Sequence, residues 1–305
     1  MVRKYLWALL LAGSFSSIIL AGNKILFLIS TPRSLSTAFL RAMQARGEVD
    51  ARYRMEIFNE PFFQAWWANN VGGQPVNFFS GALTAHKLIF DQLLQEAERG
   101  PLFIKEQSYA VKDLLKHDDR LFANRDITFV MLLRNPHHVI ISYYKKVDNG
   151  EKYNFYGFDQ AYNFSTMVGQ KECYELFLEI KQRTGKAPVV VITEDLYEHP
   201  HDAMQRFCQG VDIQFVPEAL QWEPLGSNFD VTQAWHETKM QDKVQHWHDD
   251  AMRSTGFGKP RQYEVDAQGN PTFSEIENLD DREICKKAYE ENMYYYRLIM
   301  QSVSK

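Results

Sequence analysis

Short apolar runs of strand length, each followed by a helical pattern, set the order of this chain and leave few folds open to it. Residues 24–30 (Lys-Ile-Leu-Phe-Leu-Ile-Ser) read as a strand buried on both faces, because the apolar residues continue without alternation. A polar loop follows, then a helix with Phe39, Leu40 and Met43 on its apolar stripe and Gly47 near its stop. Residues 53–58 predict a second strand, ending at Asn59-Glu60-Pro61, and residues 102–104 a short third one behind an amphipathic helix over 83–99. Residues 127–133 predict another buried strand, leading into a helix over 136–146. Helical periodicity covers 158–184, a strand covers 189–192, and helices over 200–209 and 282–302 follow. Residues 257–278, rich in Gly, Pro and polar residues, predict a long loop. Strands alternating with helices predict an α/β fold whose parallel sheet is covered on both faces.

Parallel sheets bind ligands at the carboxyl ends of their strands, beside helix N-termini. Two such ends carry unusual loops here. The first is Thr31-Pro32-Arg33-Ser34-Leu35-Ser36-Thr37, whose backbone amides and helix dipole suit a phosphate. Arg33 adds a cation, and Ser34, Ser36 and Thr37 add hydroxyl donors. The loop lacks the glycines and lysine of GxxxxGK[ST], which disfavours a triphosphatase gripping magnesium-bound nucleotide. At the second end, Arg134-Asn135-Pro136 follows the 127–133 strand, and Ser142 lies about two helical turns further on. Arg134 and Ser142 can address one anion if that helix runs past the ligand.

Net charge weighs against one broad class of partner. At −5 over 305 residues the chain does not have the basic excess of a nucleic-acid binder, so positive charge for an anionic ligand must be gathered locally. Cys173, Cys208 and Cys285 lie far apart without CxxC spacing and are expected to be buried thiols, not zinc ligands or a disulfide framework. Met1 to Lys4 is a basic start, and the apolar residues 5–21 behind it, interrupted at Gly13 to Ser17, resemble a signal peptide. The segment is short and polar in its middle for a membrane span. Residues 1–22 are thus expected to be a cleaved signal or a membrane anchor, favouring a secreted or membrane-tethered protein over a cytoplasmic one, with a non-targeting start as the alternative. A single domain is expected over residues 23–305.

The two loops together resemble the motifs of the sulfotransferases that use 3′-phosphoadenosine 5′-phosphosulfate (PAPS). Their first motif, Pro-Lys/Arg-Ser-Gly-Thr/Ser-Thr, is similar to Pro32-Arg33-Ser34-Leu35-Ser36-Thr37. Their second, Arg-Asn-Pro with a Ser eight residues after the Arg, is similar to Arg134-Asn135-Pro136 with Ser142. A third segment is matched by Thr193-Glu194-Asp195-Leu196 and Pro200. The resemblance implies an α/β, P-loop-type three-layer fold with a mainly parallel central sheet of about five strands flanked by helices. It implies that Arg33, Ser34, Leu35, Ser36 and Thr37 hold the 5′-phosphosulfate of PAPS, and that Arg134 and Ser142 hold its 3′-phosphate. The implied reaction is a metal-independent, in-line sulfuryl transfer to a hydroxyl or amine of a small-molecule or carbohydrate acceptor, with Arg33 stabilising the charge that develops.

Three departures from the motif pattern bear on the site. Leu35 stands where the family has Gly, so the loop is expected to do without a residue that favours positive φ. Ala38 stands where cytosolic members often place a Trp against the adenine, and Phe39 beside it should face elsewhere. The Lys-x-His base of cytosolic members is absent, the matching stretch being Lys105-Glu106-Gln107-Ser108. Glu60, in a Glu-Pro pair as in Golgi-type carbohydrate sulfotransferases, is the first candidate base, with Glu106 next. Lys105 is read as either a sulfonate contact or a salt-bridged lysine. Phe62, Phe63, Trp66 and Trp67 are core or an acceptor wall, and Ser254 to Arg261, with Lys259, is a solvated loop or a cover over the nucleotide. His246 and His248, two apart, would sit on different faces of a helix and do not suggest a metal site. The rival readings are a catalytically impaired nucleotide-binding protein of the same fold and a P-loop phosphotransferase.

Overall fold

The computed structural model describes residues 24–48, 51–58, 78–117, 119–147, 164–224 and 248–303. Five parallel strands form one sheet: β1 (Ile25–Ser30), β2 (Arg52–Met55), β3 (Leu102–Gln107), β4 (Ile127–Leu133) and β5 (Val189–Ile192), in the order β2-β3-β1-β4-β5. In chain order the helices are α1 (Ser36–Ala45), α2 (Phe78–Ala97), α3 (Ser108–His117), α4 (Asp119–Ala123), α5 (Pro136–Val147), α6 (Phe164–Val168), α7 (Gln170–Thr184), α8 (Thr193–Glu198), α9 (Pro200–Gly210) and α10 (Leu279–Val303). The parallel α/β fold expected from the alternating pattern is the one observed. Among the described residues no helix is long and apolar enough to cross a membrane.

Uninterrupted apolar strands are what a sheet covered on both faces requires, and strand alternation sorts their side chains. Ile25, Phe27 and Ile29 of β1, with Phe129, Met131 and Leu133 of β4, face a core closed by α2, α3, α4, α7 and Ile299 of α10. Leu26 and Leu28, with Val130 and Leu132, face a second core made by α1, α8 and α9. A third cluster joins Val139 to Ile141 of α5, α6, Phe273, Ile276 and α10. The thiols of Cys173, Cys208 and Cys285 are buried in these three clusters in turn.

Element boundaries differ from expectation where polar residues are buried. β3 continues past Ile104 to Gln107, with Lys105 and Glu106 fully buried. β2 stops at Met55 instead of residue 58, because Glu56 turns the chain with a φ of +54°. The helix expected over 158–184 is broken at Gly169 into α6 and α7, its residues 158–163 lying outside the described part. Gly169 has a φ of +80°, and a Cβ there would lie 2.8 Å from Ser108 Oγ and 3.6 Å from both Thr31 Cγ2 and Pro32 Cδ. Only glycine meets both demands.

Register aligns the site. Ser30 stands opposite Leu132, so the chain leaving β1 and the chain leaving β4 emerge side by side. From there they part towards opposite edges of the sheet, which makes a crevice at the carboxyl ends of the central strands.

Candidate functional site

The loop between β1 and α1 is shaped by two left-handed residues, Arg33 (φ +58°) and Leu35 (φ +65°). Leu35 therefore adopts the positive φ that its side chain does not favour. A non-glycine residue pays about 1–2 kcal/mol for this conformation, and surrounding contacts hold it in place. Ser34 Oγ donates to Thr31 O at 2.6 Å, Thr193 Oγ1 to Ser34 O at 2.7 Å, and Arg134 Nη1 to Arg33 O at 2.6 Å. Alternating backbone handedness of this kind turns successive amides towards one point and forms an anion-binding concavity. No side chain caps α1, so its first-turn amides add to that concavity.

Arg33 and Ser142, 109 residues apart in sequence, meet here: Arg33 Nε donates to Ser142 Oγ at 3.2 Å. The Arg33 guanidinium also lies 3.8 Å from Asp250, which in turn is 3.5 Å from Lys146. Burial lowers the pKa of Arg33, and the Asp250 carboxylate opposes that shift. The positive charges of Arg134 and Arg261 act on it as well, which places Arg261 of the 257–278 loop beside this corner. Arg134 is buried, with its guanidinium 5.7 Å from the centre of the Tyr197 ring. Its Nε is buried without a hydrogen-bond partner, a donor available to an anion over the sheet edge.

The third segment ties the corners together. Glu194 Oε1 accepts from the Asn135 amide at 3.1 Å and lies 2.9 Å from His138 Nδ1, while Asn135 Oδ1 caps α5 through the His137 amide. Below, the α6–α7 break joins both loops: Gly169 packs against Thr31 and Pro32, and Gln170 Nε2 donates to Arg134 O at 2.8 Å. Asn292 of α10 accepts from the Gln170 amide. The sequence pattern gave no sign of this brace, because a glycine within a long helical periodicity reads as a tolerated defect.

Alternation along β3 sends Lys105 and Gln107 to the α1 side and Glu106 to the opposite side. Lys105 Nζ pairs with Glu56, and Gln107 Nε2 donates to the same carboxylate oxygen at 2.8 Å. Burial would raise the Glu56 pKa, but Lys105, His248 and these hydrogen bonds bring it down to about 2. Lys105 is thus salt-bridged. Glu106 accepts from the Phe58 amide at 3.4 Å on the far face, and burial followed by repulsion from Glu56 pushes its pKa well above the ordinary value. His248 is buried, and its Nδ1 shares a hydrogen bond of 3.0 Å with Thr37 Oγ1.

Sequence reasoning did not single out Glu56, and it weighed His248 only as one of two histidines for a metal; the turn forced at Glu56 has no local signature. Glu60, Phe62, Phe63, Trp66, Trp67 and His246 lie outside the described residues. Ala38 and Phe39 both belong to the core, Phe39 edge-on to Phe207 at 4.9 Å, so neither faces the loop's ligand side. Among the described residues no group of three His, Cys, Asp or Glu is placed to hold a metal.

One expectation follows for Glu106. A carboxyl whose folded pKa is raised contributes stability that is complete below its unfolded value near 4.5 and is lost as pH rises through the folded value. Glu106→Gln keeps the acceptor for the Phe58 amide without the charge. The variant should melt above the wild type at pH 8 and converge with it at pH 4, as followed by thermal unfolding.

No family model and no curated protein matches this chain. Among solved structures it is similar to the sulfotransferase domain from the Synechococcus PCC 7002 olefin synthase, at 18% identity over 87% of this chain and 94% of that one, with a TM-score of 0.44. It is also similar to the sulfotransferase domain from the curacin biosynthetic pathway, at 20% identity over 69% of this chain and 82% of that one, with a TM-score of 0.47. Mouse sulfotransferase SULT7A1 complexed with PAP is similar at 10% identity over 78% and 88% of the two chains, with a TM-score of 0.36.

Proposed function

We propose that this chain transfers the sulfuryl group of PAPS to a hydroxyl or amine acceptor. The observation that carries the proposal is the junction of the two loops: Arg33 Nε on Ser142 Oγ at 3.2 Å and Arg134 Nη1 on Arg33 O at 2.6 Å make one cationic corner from segments 101 residues apart. A ligand with an anion at each end, such as an adenosine carrying 5′ and 3′ groups, suits such a corner. In this reading the amides of residues 34–37 and Arg33 hold the 5′-phosphosulfate, and Arg134 with Ser142 holds the 3′-phosphate. Arg33 stabilises the negative charge that gathers on the bridging oxygen as the S–O bond breaks. The Glu-Pro pair that leans towards a carbohydrate acceptor lies outside the described residues.

Titration with 3′,5′-adenosine bisphosphate (PAP) and with adenosine 5′-phosphate tests the donor site. A charge-assisted hydrogen bond contributes roughly 1.5–3 kcal/mol, so PAP should bind about tenfold or more tightly than the ligand without the 3′-phosphate. Equal affinities would remove the role given to Arg134 and Ser142.

A further inference from the structure

We infer that His248 is the general base that takes the acceptor's proton, an inference that rests on the sulfuryl transfer proposed above. One hydrogen bond and one electrostatic effect locate the imidazole. Its Nδ1 is 3.0 Å from the hydroxyl of Thr37, a residue of the phosphate loop itself. Its charge is felt by Glu56, the carboxylate anchored by Lys105 and Gln107 at the carboxyl end of the sheet. An imidazole hydrogen-bonded to the donor loop stands beside the group that this loop is proposed to hold, where a general base is needed.

The other titratable groups described near the corner are unsuited to the task. Glu56 is engaged by Lys105 and held at about 2, too weak a base near neutral pH. Glu106 points to the opposite side of the sheet and hydrogen-bonds the Phe58 amide. His137 is packed among Tyr263, Phe273 and Tyr289, with a pKa lowered to about 4 by burial. His138 is engaged by Glu194. Asp250 pairs with Arg33 and with Lys146, and Asp249 pairs with Arg253.

The step balances as follows. The acceptor's O–H or N–H proton passes to the imidazole while the acceptor's lone pair forms the bond to sulfur. The bond from sulfur to the bridging oxygen breaks, and its electron pair leaves on the 5′-phosphate of PAP. General-base catalysis of this kind contributes about 10²–10⁴-fold.

The test compares wild type with His248→Asn, which keeps a polar group for Thr37. PAP affinity is measured by titration, and sulfuryl transfer is measured from radiolabelled PAPS to water, p-nitrophenol, glucose and a primary amine. The expected result is a PAP Kd within about threefold of wild type, kcat lower by about 10²-fold or more, and loss of the acid limb of the wild-type pH–rate profile. Thermal midpoints identify lost fold, and if the Asn variant is unstable His248→Gln replaces it. Near wild-type kcat in a folded variant overturns the inference, and so does a wild type that binds PAP yet transfers sulfate to nothing in the panel. Failure of the wild type to bind PAP instead overturns the donor assignment.

Discussion

Arg134→Ala should weaken PAP binding by roughly 10- to 100-fold while leaving adenosine 5′-phosphate binding within a few-fold of wild type. The guanidinium is buried, lies over the Tyr197 ring, and presents an unpartnered Nε beside the end of β4. Alanine removes a fixed, buried charge from that strand end. It also frees the Arg33 carbonyl, so part of the loss will come from loosening a left-handed loop residue. Arg134→Lys separates these effects. It restores charge but cannot both grip that carbonyl and offer a second donor, and its affinity should fall between the other two. Ser142→Ala removes a hydroxyl but no charge, and should therefore cost less than Arg134→Ala. Isothermal titration of the four proteins checks the order, and an Arg134→Ala protein that binds PAP like wild type would end the assignment.

Lys105→Met should cost about 3–5 kcal/mol of folding stability, the usual penalty for removing one partner of a buried ion pair. The Lys105 side chain is 1% exposed and that of Glu56 9%, so little water reaches the charge left behind. Adding Glu56→Gln should recover much of the loss, because no unpaired charge then remains. The pH dependence has a definite sign. With its pKa held near 2 against an ordinary 4.5, Glu56 supplies stability that is complete above about pH 4.5 and is lost as pH falls towards 2. Without Lys105, burial raises that pKa instead, so Glu56 costs stability above pH 4.5 and ceases to do so when protonated. The gap between wild type and Lys105→Met should therefore narrow on acidification, as measured by denaturant unfolding from pH 7 to pH 3.

The sequence made the strands and the two strand-to-helix loops legible because both are local. A buried parallel strand is an apolar run, and a strand-to-helix turn carries its own polar residues. Lys105 to Gln107 looked like the end of a strand because the carboxylate that makes Lys105 tolerable lies 49 residues earlier. The left-handed φ at Leu35 was hidden for the same reason: nothing beside it in sequence favours that conformation, and Arg134 and Thr193 hold its neighbours from afar. His248 drew notice only as one of two nearby histidines. Its role depends on reaching Thr37, 211 residues away.

Strand order has a consequence for how such a protein can diversify. The corner of Arg33 and Arg134 grows from β1 and β4, the middle of the sheet, where every strand has two neighbours. Glu56 follows β2, which among the described residues has a neighbour on one side only. Changes in length or composition along that outer margin can reshape whatever the carboxylate faces without propagating to the central strands. A chain built this way can exchange one reaction partner over evolutionary time while its grip on the other stays fixed.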